Sequence, residues 1–371
     1  MNRITAVLVA CTLVLGACAG SARPDAAGAS PGADGGGAAP AGTPGATPAA
    51  TRDVTLVLDW TPNTNHSGIY LAQANGWYAD AGLAVEIIQP GEQGGLPALA
   101  SGDAQFAISV QEAVTPARVQ GAPVVSVAAI IASNTSALIA AADEGIARPR
   151  DLEGKRYGGF GGDLERELIS RFVECDGGDP ATIEFVEVGN VDYRAGLERD
   201  FYDFVWIFEG WDGIRLRQAG MDVTMLPFDE HFDCIPDWYT PLLATSEQAI
   251  ADDPGMVADF VAVTARGYEA AIADPDAAAD ALLAAAPELD EDLVRASAEF
   301  LAGEYAADGR PWGVQDARVW TEYTAFLEEA GILQGEFAVD AAWTNEFLAG
   351  GTGGTGASAG PGTSEVGSEP R

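Results

Sequence analysis

The chain has 371 residues, with 56 Asp and Glu against 19 Lys and Arg, and a formal net charge of −37 at pH 7. Lys155 is its only lysine, so no basic stripe exists to neutralise phosphates, and nucleic-acid binding and adhesion to anionic lipid are both excluded. The acidity fits solubility in a saline medium as well as it fits a trap for cationic solutes, so by itself it names no ligand.

Residues 1–18 carry one basic residue, a short apolar core and small residues before Cys18. The apolar run is too short to span a bilayer securely, and the pattern reads as a secretory signal. Leu15-Gly16-Ala17-Cys18 resembles the lipobox of bacterial lipoproteins, in which Cys18 would be lipidated and become the new N-terminus. The expected location is extracytoplasmic, held at the outer face of the membrane by that lipid. Residues 19–52 are almost entirely Ala, Gly, Pro, Ser and Thr and read as a flexible tether; residues 349–371 read the same way. What remains is long enough for two domains, each with its own core.

Val54–Leu58 is predicted as a strand and Gly68–Ala81 as a helix that Gly82 stops. Alternation continues with a strand over Leu83–Ile88, a short helix over Leu96–Ala100 and a strand over Ala104–Val110. Two further pairs follow, Glu112–Gln120 with Val124–Ile131 and Leu164–Glu174 with Ile183–Val188. This order predicts an α/β fold with largely parallel sheets. After Thr245 the pattern becomes helical: Met256, Phe260, Thr264 and Tyr268 share one face, as do Leu293, Ala296 and Phe300, and as do Val319, Tyr323 and Phe326.

In an open α/β sheet, ligands collect where strands end and helices begin. Segments 59–68, 91–96, 109–113, 158–163 and 206–213 sit at such junctions and combine aromatics with few charges, which suits a small flat solute. The GGFGG run at 158–162 lacks dinucleotide-loop spacing and reads as a loop whose backbone closely approaches a ligand or a neighbouring helix. Catalysis finds little support: His66 and His231 are the only histidines, and no GxSxG elbow accompanies them. Of four cysteines, Cys11 and Cys18 lie in the leader, leaving Cys175 and Cys234 as a pair that an oxidising compartment would join. No Cys/His cluster suggests a metal, and no cofactor is expected.

Three stretches, LDWTPNTNHSGIYLAQANGWYADAGLAVEI from Leu58, ALASGDAQFAISVQEAV from Ala98, and FVWIFEGWDGI with YTPLLATSE from Phe204 and Tyr239, resemble the solute-binding lipoproteins of bacterial ABC importers for thiamine pyrimidine precursors. The resemblance implies the two-lobed (type II) periplasmic-binding-protein fold. Lobe I would comprise 53–138 and 244–348, and lobe II 139–243, with crossings near 137–142 and 240–246. It also implies a ligand such as formylaminopyrimidine or hydroxymethylpyrimidine, a partner permease and its ATPase, and no bond-making chemistry.

On that resemblance Trp60 would cover the ring, and Asn63 and His66 would donate and accept at its nitrogens. Glu209 would take two hydrogen bonds from the aminopyrimidine, walled by Phe208 and Trp211. Gln111, Glu112, Gly159, Gly161 and Tyr239 would complete the pocket. The same superfamily holds riboflavin and alkanesulfonate binders, and pyrimidine synthases that consume a histidine of their own. Gln93-Gly94-Gly95 stands where sulfonate sites use serines, and the synthases' cysteine-rich motif is absent.

Overall fold

The computed structural model describes residues 51–349 apart from 92, 190–191, 307–308 and 336–337; the leader, Cys18, residues 19–50 of the expected tether and the tail beyond 349 lie outside the described residues. Arg52, expected in the tether, already belongs to the first strand. The strands are β1 (Arg52–Val57), β2 (Leu83–Ile88), β3 (Phe106–Ser109), β4 (Val124–Ala129), β5 (Ser136–Ala141), β6 (Arg156–Gly159), β7 (Glu184–Glu187), β8 (Phe204–Phe208), β9 (Val223–Pro227) and β10 (Leu242–Ser246). They form two five-stranded sheets, ordered β2-β1-β3-β10-β4 and β7-β6-β8-β5-β9. β3 and β4 are buried along their whole length, as strands covered on both faces must be, whereas the edge strand β2 alternates.

The expectation of largely parallel sheets needs correction. In each sheet two pairings are parallel and two antiparallel. The antiparallel ones all involve β5 or β10, the strands that arrive from the opposite lobe and run against their neighbours. The crossings also fall earlier than expected. Residues 137–142 are mostly β5 and 240–246 mostly β10, so the chain actually passes between sheets at 130–135 and 228–241. There the two passages hold each other: Ser133 Oγ donates to Asp237 Oδ2 (2.7 Å), Asn134 N–H to Asp237 Oδ1 (2.9 Å), and Ile130 N–H to Pro241 O (3.1 Å). Side-chain acceptors replace the ladder at this point, and sheet pairing resumes only beyond them.

The predicted helix over Gly68–Ala81 is two pieces, Ser67–Ala74 and Trp77–Asp80, because Gly76 turns the chain with φ 71°. The first piece crosses the long helix Pro254–Ala273 closely. A Cβ at Gly267 would lie 2.1 Å from the Gly68 carbonyl oxygen, so only glycine fits. Tyr268 on the same helix stacks on Trp312 (4.4 Å, 6°) and donates its hydroxyl to Asn65 O (2.6 Å). The helix Ala317–Glu329 joins both cores: Val319 and Trp320 pack beside Tyr239 and Leu242, while Tyr323, Phe326 and Leu327 pack with Phe172 and Trp238. Cys175, ending the helix Asp163–Cys175, is bonded to Cys234 after β9, with Cα atoms 5.7 Å apart. No helix among the described residues is long and apolar enough to cross a membrane.

Candidate functional site

The turn after β1 is built by capping. Asn63 Oδ1 accepts the Asn65 N–H (2.9 Å), and His66 Nδ1 accepts the Asn63 N–H (3.3 Å), a reciprocal box that ends the strand and starts the helix. Accepting at Nδ1 puts the proton on His66 Nε2, which donates to Asp59 Oδ1 at 2.7 Å. His66 is fully buried with both ring nitrogens engaged, so the ligand contact expected of it is corrected to a positioning role on Asp59. Asn63→Ala should cost about 1 kcal/mol of stability, the usual loss for such a cap, measurable as a lowered urea midpoint.

The turn is also braced from behind. Tyr305 donates its hydroxyl to Thr64 O, and Thr64 Oγ1 donates to Ser297 Oγ (2.5 Å), which passes its own proton to Gly210 O. This relay fixes the Trp60 turn of one lobe against the Phe208–Asp212 turn of the other.

Between the lobes lies a cleft of two connected compartments, one of about 580 Å³ and one of about 360 Å³, sharing Asp59, Trp60, Asn65 and Phe208. The larger takes Asn63, Phe160, Tyr193, Trp211, Asp212 and Arg215 as further walls. The smaller runs toward Gln93, Ser109 and Thr240. All five strand–helix junctions contribute to these walls. Trp60, Phe160 and Phe208 are 56%, 55% and 40% exposed, and they line one cleft together, as clustered aromatic surface does at a binding site. Another hollow of about 430 Å³ over β1 and β2 has neither such aromatics nor residues from both lobes.

Trp60, Asn63, Phe208 and Trp211 therefore face the cleft, and several other expected residues do not. Gly159 and Gly161 flank Phe160, which is the residue that lines the wall. The free N–H groups of their loop are already spent: Glu165 Oε2 accepts from Phe160, Gly161 and Gly162 at 2.9–3.2 Å, an internal anion in the glycine nest. Gln111 and Tyr239 are buried behind the wall, with Gln111 Oε1 accepting Tyr239 N–H (2.9 Å) and the Tyr239 hydroxyl accepting Asp316 N–H (2.7 Å). They tie the second crossing to the helix Gln111–Val119. Glu112, on that helix, has its Oε2 out of water beside Trp238 and Tyr323 and also misses the cleft.

Glu209 is the largest correction. Phe208 points into the cleft, so the next side chain along the strand points away, and Glu209 pairs with Arg217 at 3.5 Å. Burial raises its pKa, opposed by Arg217. A π-helical turn, Glu209–Gly213, then swings Trp211 and Asp212 back toward the cleft. Burial lifts the Asp212 carboxyl to about 6, with Arg215 at 3.3 Å and the Phe208 backbone pulling it down. Asp59, Phe160, Tyr193 and Asp212 are among the wall residues that sequence reasoning passed over. The one available signal was spacing, an acid at a strand end seven residues before a histidine.

Comparison with known proteins places this geometry. The model of the family described as NMT1/THI5 like matches residues 63–278, more than half of the chain. The chain is 28% identical over 282 residues, 74% of its length and 84% of the other, to the formylaminopyrimidine-binding protein of Halalkalibacterium halodurans. It is 29% identical over 316 residues, 81% of its length and 87% of the other, to the riboflavin-binding protein RibY of Chloroflexus aurantiacus. At 23% identity over 296 residues, 80% of its length and 92% of the other, it matches a 4-amino-5-hydroxymethyl-2-methylpyrimidine phosphate synthase of Legionella pneumophila. Among solved structures, the alkanesulfonate-binding protein SsuA of Xanthomonas axonopodis pv. citri bound to MOPS superposes with TM-score 0.60 at 15% identity, covering 80% of this chain and 99% of that one. SsuA of Escherichia coli superposes with TM-score 0.62 at 13% identity, covering 78% and 91%. The fold is the two-lobed periplasmic-binding-protein fold, with the cleft between lobes joined by two crossing segments.

Proposed function

This chain belongs to the NMT1/THI5-like family, and from that premise we propose that it is the extracytoplasmic binding component of an ABC importer that closes its lobes around a thiamine pyrimidine precursor. Formylaminopyrimidine and hydroxymethylpyrimidine are the ligands of choice. The observation that carries this reading is the cleft itself: exposed Trp60 from one lobe and Phe160 and Phe208 from the other, with the buried Asp212 carboxyl among them. Opposed aromatic faces sandwich a flat ring, each good stacking contact adding about 0.5–1.5 kcal/mol. The carboxylate accepts from an exocyclic amino group, and from a ring nitrogen when that is protonated. Likeness to a formylaminopyrimidine-binding protein supports the same reading.

The mechanism is binding and closure, with no bond made. His66 orients Asp59 rather than facing the cleft, which favours a receptor over an enzyme that acts through that histidine. Delivery would need a permease and its ATPase on other chains, and the lipobox at Cys18 would keep the receptor beside them.

Riboflavin is the second reading, favoured by the added length of the smaller compartment and by likeness to RibY. Calorimetric titration of the protein with formylaminopyrimidine, hydroxymethylpyrimidine and riboflavin decides between them. One-to-one binding of a pyrimidine with riboflavin inert is expected; binding of riboflavin alone would replace the cargo and keep the architecture. Trp60→Ala should weaken whichever ligand binds about tenfold, and unchanged affinity would remove the ring from that position.

A further inference from the structure

We infer that the smaller compartment of the cleft is a subsite for an uncharged substituent carrying both hydrogen-bond donors and acceptors, and that it excludes phosphate and sulfonate groups. The inference rests on the receptor reading above and adds what the ligand carries beyond its ring.

Asn65, Gln93, Ser109 and Thr240 all line the compartment of about 360 Å³, and none of their side chains hydrogen-bonds to another described residue. Ser109 and Thr240 are held in the wall itself, only 7% and 2% exposed as residues. Side chains that leave their polar atoms unpaired within the protein are free to pair with a group that enters the compartment. Two hydroxyls and two amides each donate and accept, so together they match a group that does both, such as a hydroxyl, a formamide or a short polyol.

Charge then narrows the class. Among the described residues, Asp59 is the only charged side chain lining the compartment, and it is acidic. No cation there would offset a buried phosphate or sulfonate, and Asp59 would oppose it. The helix Gln111–Val119 starts at this wall but gives no free N–H at its first position, since Gln111 N–H donates to Tyr239 O at 2.9 Å. Arg215, the one cationic side chain among the described residues of the cleft, lines the other compartment and pairs with Asp212.

The test uses matched ligands on the unaltered protein: hydroxymethylpyrimidine against its phosphate ester, and riboflavin against flavin mononucleotide, by calorimetry. For whichever head the protein accepts, the uncharged form should bind at least tenfold tighter than the phosphorylated one. Equal or tighter binding of the phosphorylated form would overturn the subsite. Ser109→Ala and Gln93→Ala then locate it; Gln93 is exposed, and its truncation disturbs no packing. Each should weaken the substituted ligand about three- to tenfold while leaving a head-only compound, 4-amino-2-methylpyrimidine or lumichrome, within twofold. Equal losses for both compounds would also overturn it. If head-only compounds bind and substituents change nothing, the subsite falls and the receptor reading stands. If no compound of either series binds, the receptor reading falls and takes the subsite with it.

Discussion

Asp212→Asn should weaken aminopyrimidine binding by about 10- to 100-fold, whereas Glu209→Gln should leave it within about twofold. The first figure follows from hydrogen bonds to a charged acceptor, about 1.5–3 kcal/mol each way of counting the lost partner, at about 1.4 kcal/mol per tenfold. Asp212 lines the larger compartment, while Glu209 lies on the far side of the strand end with Arg217. Both substitutions keep shape and remove one charge, so the pair separates location from overall acidity. The pH dependence is a second readout. Burial holds the Asp212 carboxyl up to about 6, so the acceptor is present above that pH and lost as pH falls through it. Affinity of the unaltered protein should therefore decline between about pH 7 and 5, and the decline should vanish in the asparagine variant. Titrations that show Glu209→Gln to be the damaging change would return the carboxylate role to the residue first expected to hold it.

That contrast shows where a sequence stops being legible. Strands such as Leu83–Ile88 announce themselves by alternation, because an edge strand half-covered by its neighbours must alternate. The junction rule also held information, since the segments at 59–68, 91–96, 109–113, 158–163 and 206–213 all reach the cleft. What alternation cannot carry is a π-helical turn. The turn Glu209–Gly213 brings Trp211 and Asp212 to the cleft after Glu209 has turned away, and nothing in EGWDG marks it. His66 was conspicuous for the right reason, being a scarce polar group at a strand end, yet its two nitrogens serve the cap and Asp59. The glycines at 158–162 read correctly as a close approach of backbone, but the approaching group is the chain's own Glu165. Each misplacement concerns which group satisfies a polar atom, and in each the partner comes from the same turn or the helix just beyond it, at a distance that spacing alone does not reveal.

Glu112→Gln should raise stability at pH 8 by about 1–3 kcal/mol and leave it unchanged near pH 4.5. Glu112 stands in the first turn of the helix Gln111–Val119 with its Oε2 buried against Trp238 of the second crossing and Tyr323 of the helix that joins both cores. Burial raises the carboxyl from 4.5 to about 7; the Trp238 indole offsets part of this, although its Nε1 falls short of a hydrogen bond. An acid whose folded value is raised holds its proton longer in the native state than in the unfolded one. Below the unfolded value both states are protonated and nothing is lost. Between about 4.5 and 7 the unfolded chain releases its proton first, so stability falls as pH rises, and above about 7 the full cost persists. Each pKa unit is worth about 1.4 kcal/mol, and partial access of water to the rest of the residue sets the lower end of the range. Glutamine keeps the shape and removes the ionisation, so the two proteins should share a urea midpoint at pH 4.5 and separate progressively to pH 8. Parallel curves across that range would mean that water reaches the carboxyl. Separation would identify the packing of one helix start on a crossing segment as the place where alkaline pH loosens the joint between the lobes.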